Sequence, residues 1–536
     1  MKEPLQNLSL QTRRFFSGVF LSRLSGLGRD LAMAFAFGDH PSIAAFMVAF
    51  RLSNLLRRLL GEGPFQSAFI PYFEGLRLQN QSKAGLFFHQ LGSFLTRLLV
   101  LITLISETIL ISLIAFGNFS SGNREILVLT AWLFPAIIFI CLYGLNISLL
   151  QCCETFFLPN FAPFVCNLVW IISAIYLKNR PPQEAMVTLA QMLVFGFLGQ
   201  WLITLPQTLK QVPAALKAWL SFRVSSEIKA LLKLFSLSAL GAGALQINAF
   251  LDTLFARSAD LRGPAYLWYS IRLEQLALAV FGIACVGTIV PRLSRSIQNL
   301  DGGSAQSLFA FGYKRIMTVM IPCTAALWAL GGPGLNLLYG RGLFSTEAVS
   351  QTTICLWAYS LGLLPAALVM LYSALFYAKK DFWTPTKAAL FSVLLNLSLN
   401  CFFVFGLKLG SASIAIATSL SSYLNFGLLA RQARIAGWKS AFAFFQKILP
   451  LIGLSLAALA CTFGFNALIF NQNLFKLLGQ KNAPFTRSLP EQTAQLSFLS
   501  LAFFSALALL VFLFHNQTLK EFFREFFFRK KTFEQN

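Results

Sequence analysis

Charged side chains interrupt an otherwise apolar stretch near the start of the chain. Between Ser22 and Phe73 the sequence is apolar enough to form two membrane-spanning helices, yet it holds Arg23, Arg29, Asp30, Arg51, Arg57, Arg58 and Glu62. A charge at the centre of a bilayer costs roughly 2.5–3.5 kcal/mol on insertion scales. Several arginines facing lipid would cost on the order of 10 kcal/mol, as much as a domain's whole net stability. The arrangement of lower energy turns them toward a wet cavity or a bound anion. Helical spacing puts Ser22, Ser25 and Arg29 on one face, and Arg23 and Asp30 seven apart on another. Arg51, Asn54 and Arg58 share a face of the next helix, with Glu62 a turn further on. Arginine suits phosphate because its planar fork gives two parallel charge-assisted hydrogen bonds. Three or four together could hold a pyrophosphate, with Asp30 orienting one of them. The plainer reading is that Arg57 and Arg58 anchor a helix end at the membrane surface.

Further charges lie deep in apolar segments. Arg272 follows Tyr266, Trp268 and Tyr269 by one or two turns and precedes Glu274, which offers it either an ion pair or a share in a second anion-binding cluster. Asp252 is a lone carboxylate in ALQINAFLDTLFARS; such a group is by default a proton or cation site, with a salt bridge to Arg257 or Arg272 as the alternative. Glu107 is a weaker case of the same kind. Enzyme chemistry finds little support. The three histidines, His40, His89 and His515, are isolated, no G-x-x-x-x-G-K-[ST] phosphate loop is present, and no Asp-Asp pair appears. The expectation is therefore a non-enzyme with no metal site and no cofactor beyond a coupling ion.

The elements that must position these residues follow from composition. The 536 residues are 56% hydrophobic and 12% charged, with mean hydropathy +0.67. The charged share is half that of an ordinary soluble domain, which indicates an integral membrane protein. Without ten-residue alternating patterns, a β-barrel is disfavoured. Counting apolar runs of about 20 residues gives about fourteen helices, near 16–37, 42–60, 87–115, 127–150, 160–177, 185–205, 231–256, 264–290, 313–336, 351–377, 385–405, 411–430, 446–470 and 495–515. The fold class expected is an all-α polytopic membrane protein. Lys and Arg gather in the connections on one side of such a bundle, including Arg77, Lys83, Lys379, Lys380, Arg431 and the 516–536 tail. The positive-inside rule then puts both termini in the cytoplasm, and anionic lipid accounts for the net charge of +23 without nucleic acid. Arg13 and Arg14 precede an apolar run that Arg23 and Arg29 interrupt, with no small-residue cleavage site after it, so the first segment reads as a retained helix. The nine cysteines lack metal or redox spacing and read as buried thiols. Arg51-Leu52-Ser53-Asn54-Leu55 is followed 20 residues after its arginine by Pro71, and Arg272-Leu273-Glu274-Gln275-Leu276 is followed 19 after its arginine by Pro291. Those two segments are six helices apart, as a duplicated six-helix unit requires.

SRLSGLGRD at Ser22–Asp30 and AFMVAFRLSNLLRRLLGEGPFQSAFIP at Ala45–Pro71 resemble the MurJ/MviN family of lipid II flippases, within the multidrug/oligosaccharidyl-lipid/polysaccharide exporter superfamily. The resemblance continues in WYSIRLEQL at Trp268–Leu276, GTIVPRLS at Gly287–Ser294, YGRGLF at Tyr339–Phe344 and FYAKKDFWTPTK at Phe376–Lys387. It implies two six-helix lobes around a central cationic cavity, here 1–209 and 210–440, with the last two helices (441–515) forming a groove for a lipid tail and 516–536 a basic cytoplasmic tail. It implies a bacterial inner-membrane protein that carries lipid II outward by alternating access, with membrane lipids and other cell-wall synthesis proteins as further partners. The family's cavity arginines fall on Arg23, Arg29, Arg57 and Arg272, with Asp30 beside Arg29, and Arg51, Asn54 and Glu62 fall on other cavity or motif positions. Asp252 falls where some members carry an acidic residue for a coupling sodium ion. Many members have an Asp shortly before the A-F-x-V-A-F segment; here Ala44 stands there, with Asp39 five residues earlier. A drug or cation antiporter or polysaccharide flippase of the same superfamily, and a membrane enzyme of the lipid-carrier pathway, are the alternatives.

Overall fold

The computed structural model describes residues 2–60, 64–212, 224–299, 301–438, 442–470 and 485–513. All regular structure among them is helical. The 516–536 tail lies outside the described residues, as does most of the connection expected before the last helix. The chain divides into two compact units, Met1–Arg257 and Ser258–Asn536.

The first unit contains α1 (Lys2–Phe37), α2 (Pro41–Leu60), α3 (Pro64–Gln79), α4 (Gln81–Phe116), α5 (Ser121–Leu133), α6 (Ala136–Cys152), α7 (Phe157–Phe161), α8 (Pro163–Leu177), α9 (Pro182–Leu202), α10 (Leu205–Gln211) and most of α11 (Ser226–Ala259). Asn80 starts α4 by accepting the Lys83 N–H at 3.0 Å. The outward face of α4 leaves Leu101, Leu104, Ile105 and Ile109 more than half exposed, which suits lipid and not water. α5 and α6 form one apolar path bent by 45° ahead of Pro135. α3 was not among the expected helices: Pro71 and its charges hide it from a search for spans, yet it buries Phe65, Phe69, Phe73 and Leu76 against α4, α6 and the start of α11.

The second unit contains α12 (Gly263–Ala277), a π-helical segment Leu278–Ile283, α13 (Ala284–Gln298), α14 (Gly302–Tyr339), α15 (Thr346–Ser360), α16 (Leu363–Ala378), α17 (Trp383–Cys401) running into a second π-helical segment Phe402–Gly406, α18 (Ala412–Ile435), α19 (Phe442–Ile469) and α20 (Leu489–Leu513). α14 is its axis and packs on α13, α15, α16, α19 and α20. Asp301 and Ser345 hold the starts of α14 and α15 by accepting the N–H groups of Ser304 and Ala348, each at 3.0 Å. Gly362 is required by contact: a Cβ there would sit 3.0 Å from the Ser419 Cα of α18. α19 and α20 pack on each other, where Gln495 donates to Asn466 at 2.8 Å with both side chains fully buried.

Among the described residues, ten helices are long and apolar enough to cross a membrane, or eleven if the bent α5–α6 pair is one span, against the fourteen or so expected. The expected first, second and seventh spans coincide with α1, α2 and α11, the helices interrupted by Arg23, Arg29 and Asp30, by Arg51 and Arg58, and by Asp252 and Arg257. The boundary between the compact units falls at 257/258. α11 sends Ile228 and Leu231 into the first unit's core, and Gln246, Thr253 and Arg257 to partners in that unit.

Candidate functional site

In the first unit, Arg29 is the best-held of the expected residues. Its Nε and Nη2 donate to Asp30 Oδ1 at 3.0 and 2.9 Å. Its Nη1 donates to Asn167 Oδ1 on α8 at 3.3 Å. The guanidinium carbon lies 4.6 Å from the centroid of Trp170, one turn further along α8. Asn167 in turn donates to Ser25 Oγ at 2.9 Å, and Ser25 donates to the Ser22 carbonyl at 2.9 Å. The polar face read as Ser22, Ser25 and Arg29 is therefore one connected network that ties α1 to α8. Side-chain exposures of 14% for Arg29 and 5% for Asp30 mark this as a buried ion pair, whose strength depends on such supporting bonds. Arg23 is exposed.

On α2, Arg51 Nε donates to Thr253 Oγ1 at 3.4 Å and Arg58 Nη1 donates to Gln246 Oε1 at 3.2 Å. Both steps are seven residues, rising on α2 and falling on α11, so the two helices run antiparallel along a polar seam. Asn54 is half-buried on the same helix. The side chain of Arg57, and Glu62 altogether, lie outside the described residues. Asp252, buried on α11, accepts from Asn248 Nδ2 at 3.4 Å. Arg257 is buried as well; its Nη1 donates to the Pro41 carbonyl at 2.9 Å, and a Cβ on Gly122 would come within 2.9 Å of its Nη2.

In the second unit, Arg272 is half-buried and its guanidinium carbon lies 4.4 Å from the centroid of Trp268, one turn earlier on α12. Tyr269, fully buried beside them, meets Tyr339 at 4.8 Å and Phe344 at 5.2 Å between ring centroids. The WYSIRLEQL and YGRGLF motifs thus pack on each other. The turn in FYAKKDFWTPTK is built by Asp381, whose Oδ1 accepts the N–H groups of Trp383 and Thr384 at 3.1 and 3.0 Å and whose Oδ2 accepts the Thr384 hydroxyl at 2.6 Å. The Thr384 hydroxyl, then these amides, hold the carboxyl below its ordinary value. That is turn chemistry at the start of α17.

The residues missed in the sequence are the ones that hold the arginines: Asn167, Trp170, Gln246 and Thr253. Asn167 carried a signal, as a lone amide inside an apolar span.

Residues 33–478 match the family described as lipid II flippase MurJ. The chain belongs to the MurJ family. A "Probable lipid II flippase MurJ" of Chlamydia trachomatis is 35% identical over 77% of this chain and 76% of that protein. The MurJ homologue of Chlamydia pneumoniae, named in the same words, is 32% identical over 93% of this chain and 91% of its own length. The fold agrees with a solved lipid II flippase MurJ in an inward closed conformation, at TM-score 0.71 and 22% identity over 95% of this chain and 99% of that one. An inward-facing multidrug resistance MATE family transporter of the MOP superfamily shares the fold at TM-score 0.61 and 15% identity, over 78% of this chain and 95% of that one. MurJ is a transporter family, and this member of it is an integral membrane protein with many apolar helices.

Proposed function

We propose that this chain carries lipid II, a polyprenyl-diphosphate-linked peptidoglycan precursor, from the cytoplasmic to the outer face of the inner membrane by alternating access. Arg29 carries the reading: an arginine inside a membrane helix, pre-oriented by Asp30, Asn167 and Trp170. A diphosphate is matched by the donors of a held guanidinium, and ordering the arginine beforehand lowers what binding must supply. Arg23, Arg51, Arg57 and Arg272 are the other candidate ligands of the diphosphate, with Asn54 and Glu62 as further candidate substrate-binding residues. Sugars and peptide would occupy a wet cavity, and the lipid tail would run beside α19 and α20. Asp252 is the candidate for a coupling sodium ion. Both termini face the cytoplasm in this scheme.

The preponderance of intramembrane arginines favours an anionic substrate over the cationic ones of a drug antiporter. The test pairs binding with growth. Purified protein should bind lipid II in preference to a plain phospholipid by native mass spectrometry, and Arg29→Ala should weaken that binding by about tenfold or more, as loss of a charge-assisted contact does. Arg272→Glu should insert normally and fail to support growth of cells that depend on it. Equal binding of both lipids, unchanged in Arg29→Ala, together with normal growth on Arg272→Glu, would sink the proposal.

A further inference from the structure

Arg29 and Arg272 share a device that their own spacing does not require: each guanidinium lies over a tryptophan. In the first unit the ring of Trp170 is brought to Arg29 from another helix, α8, at 4.6 Å. In the second unit Trp268 reaches Arg272 from the preceding turn of α12, at 4.4 Å. Both distances are well inside the range of about 6 Å over which the ring quadrupole attracts a cation. Arg180 over Tyr176 and Arg315 over Phe311 sit at 5.9 Å, near that limit.

Stacking engages the face of a guanidinium, which is weakly hydrated, while all five N–H donors lie in its plane. A tryptophan on one face therefore fixes the plane, keeps water off that side and uses none of the donors. Trp170 is itself immobilised, 1% exposed and set edge-on to Phe46 and Phe50 at 5.6 and 4.9 Å. Trp268 is 6% exposed. Both rings are buried.

We propose that Trp170 and Trp268 are positioning residues for the substrate's diphosphate: each sets the plane of one arginine so that its in-plane donors meet phosphate oxygens together. This rests on the reading that Arg29 and Arg272 bind the diphosphate. The tryptophans act through the arginines and do not themselves touch the anion.

The decisive experiment is a double-mutant cycle on the full-length purified chain, reading the dissociation constant for lipid II alongside the melting temperature. Trp268→Leu should weaken binding roughly 3- to 30-fold, the range a desolvated cation–π contact spans. Trp268→Phe, which keeps an aromatic face, should retain most of the affinity. In an Arg272→Ala background, Trp268→Leu should cause no further loss. The Trp170 pair should behave likewise, but Trp170→Leu also opens a hole beside Phe46 and Phe50, so the Trp268 cycle decides. Unchanged binding in Trp268→Leu, an equal loss with or without Arg272, or equal losses for Leu and Phe would each overturn the role of the tryptophans. If Arg272→Ala itself binds lipid II normally, the diphosphate reading falls and takes this inference with it.

Discussion

Arg29 is held both by its neighbour Asp30 and by residues of α8, and the difference between the two shows what a sequence reveals. Its bond to Asp30 was legible, because adjacent opposite charges inside an apolar helix have little else to pair with. Its bond to Asn167 and its contact with Trp170 were not, because 138 residues separate Arg29 from Asn167 and an amide in a span has several faces to choose from. The same holds for Arg51 and Arg58, whose partners on α11 are an ordinary threonine and glutamine until packing selects them. Asp252 poses the sharpest question at this scale. It is a buried carboxylate that accepts from Asn248, and a buried intramembrane acid is by default a candidate cation site. In vesicles that report lipid II translocation, wild-type protein should be stimulated by sodium over potassium by about 5-fold or more, the low end of an ordinary coupling energy. Asp252→Asn, which keeps the shape and removes the charge, should lose that stimulation. Equal rates in the two salts for the wild type would remove Asp252 from the coupling role.

At the scale of elements, length and hydropathy located the apolar helices well, because a bilayer demands about 20 apolar residues and the chain supplies them in separated runs. What hydropathy could not show is how those helices are interrupted. The bend between α5 and α6 falls at Pro135, hydropathy carries no mark of the π-helical turns after α12 and α17, and α3 is too short and too charged to register as a span. The start of α17 offers a test with a definite sign. Asp381 satisfies two amides that have no partner within the helix, and its carboxyl titrates below the ordinary value. The stabilisation is fully present above about pH 4, the ordinary carboxylate value, and is lost as pH falls through the lower value of the folded state. Hydrogen exchange corrected for intrinsic rates should show Trp383 and Thr384 protected at neutral pH and losing protection in that acid window. Asp381→Asn should abolish the pH dependence, and Asp381→Ala should weaken the helix start by about 1 kcal/mol at neutral pH. A pH dependence that survives in Asp381→Asn would assign it to another group.

For the molecule as a whole, the orientation proposed from the distribution of lysine and arginine is the most exposed to experiment. Arg341 and Lys380 are both exposed, in the turns before α15 and α17. After replacing the exposed native Cys401 and Cys461 by serine, Arg341→Cys should react with an impermeant maleimide from outside intact cells, and Lys380→Cys only after permeabilisation. The opposite pattern would invert the topology and with it the direction of transport. Pro71 and Pro291 each sit inside a helix, and α12 and α13 continue through Leu278–Ile283. A π-helical turn takes up about one residue more than an α-helical turn, and each residue of a regular helix advances the side chains by about 100°. Leu278–Ile283 thus stores a surplus residue. Deleting one residue there lets the backbone relax to a regular helix with both flanks still aimed as they are. The same deletion a few residues earlier, within α12, would swing Arg272 off its present bearing by more than a quarter turn. A deletion scan along 270–283 should therefore find its tolerant positions clustered inside the wide turn.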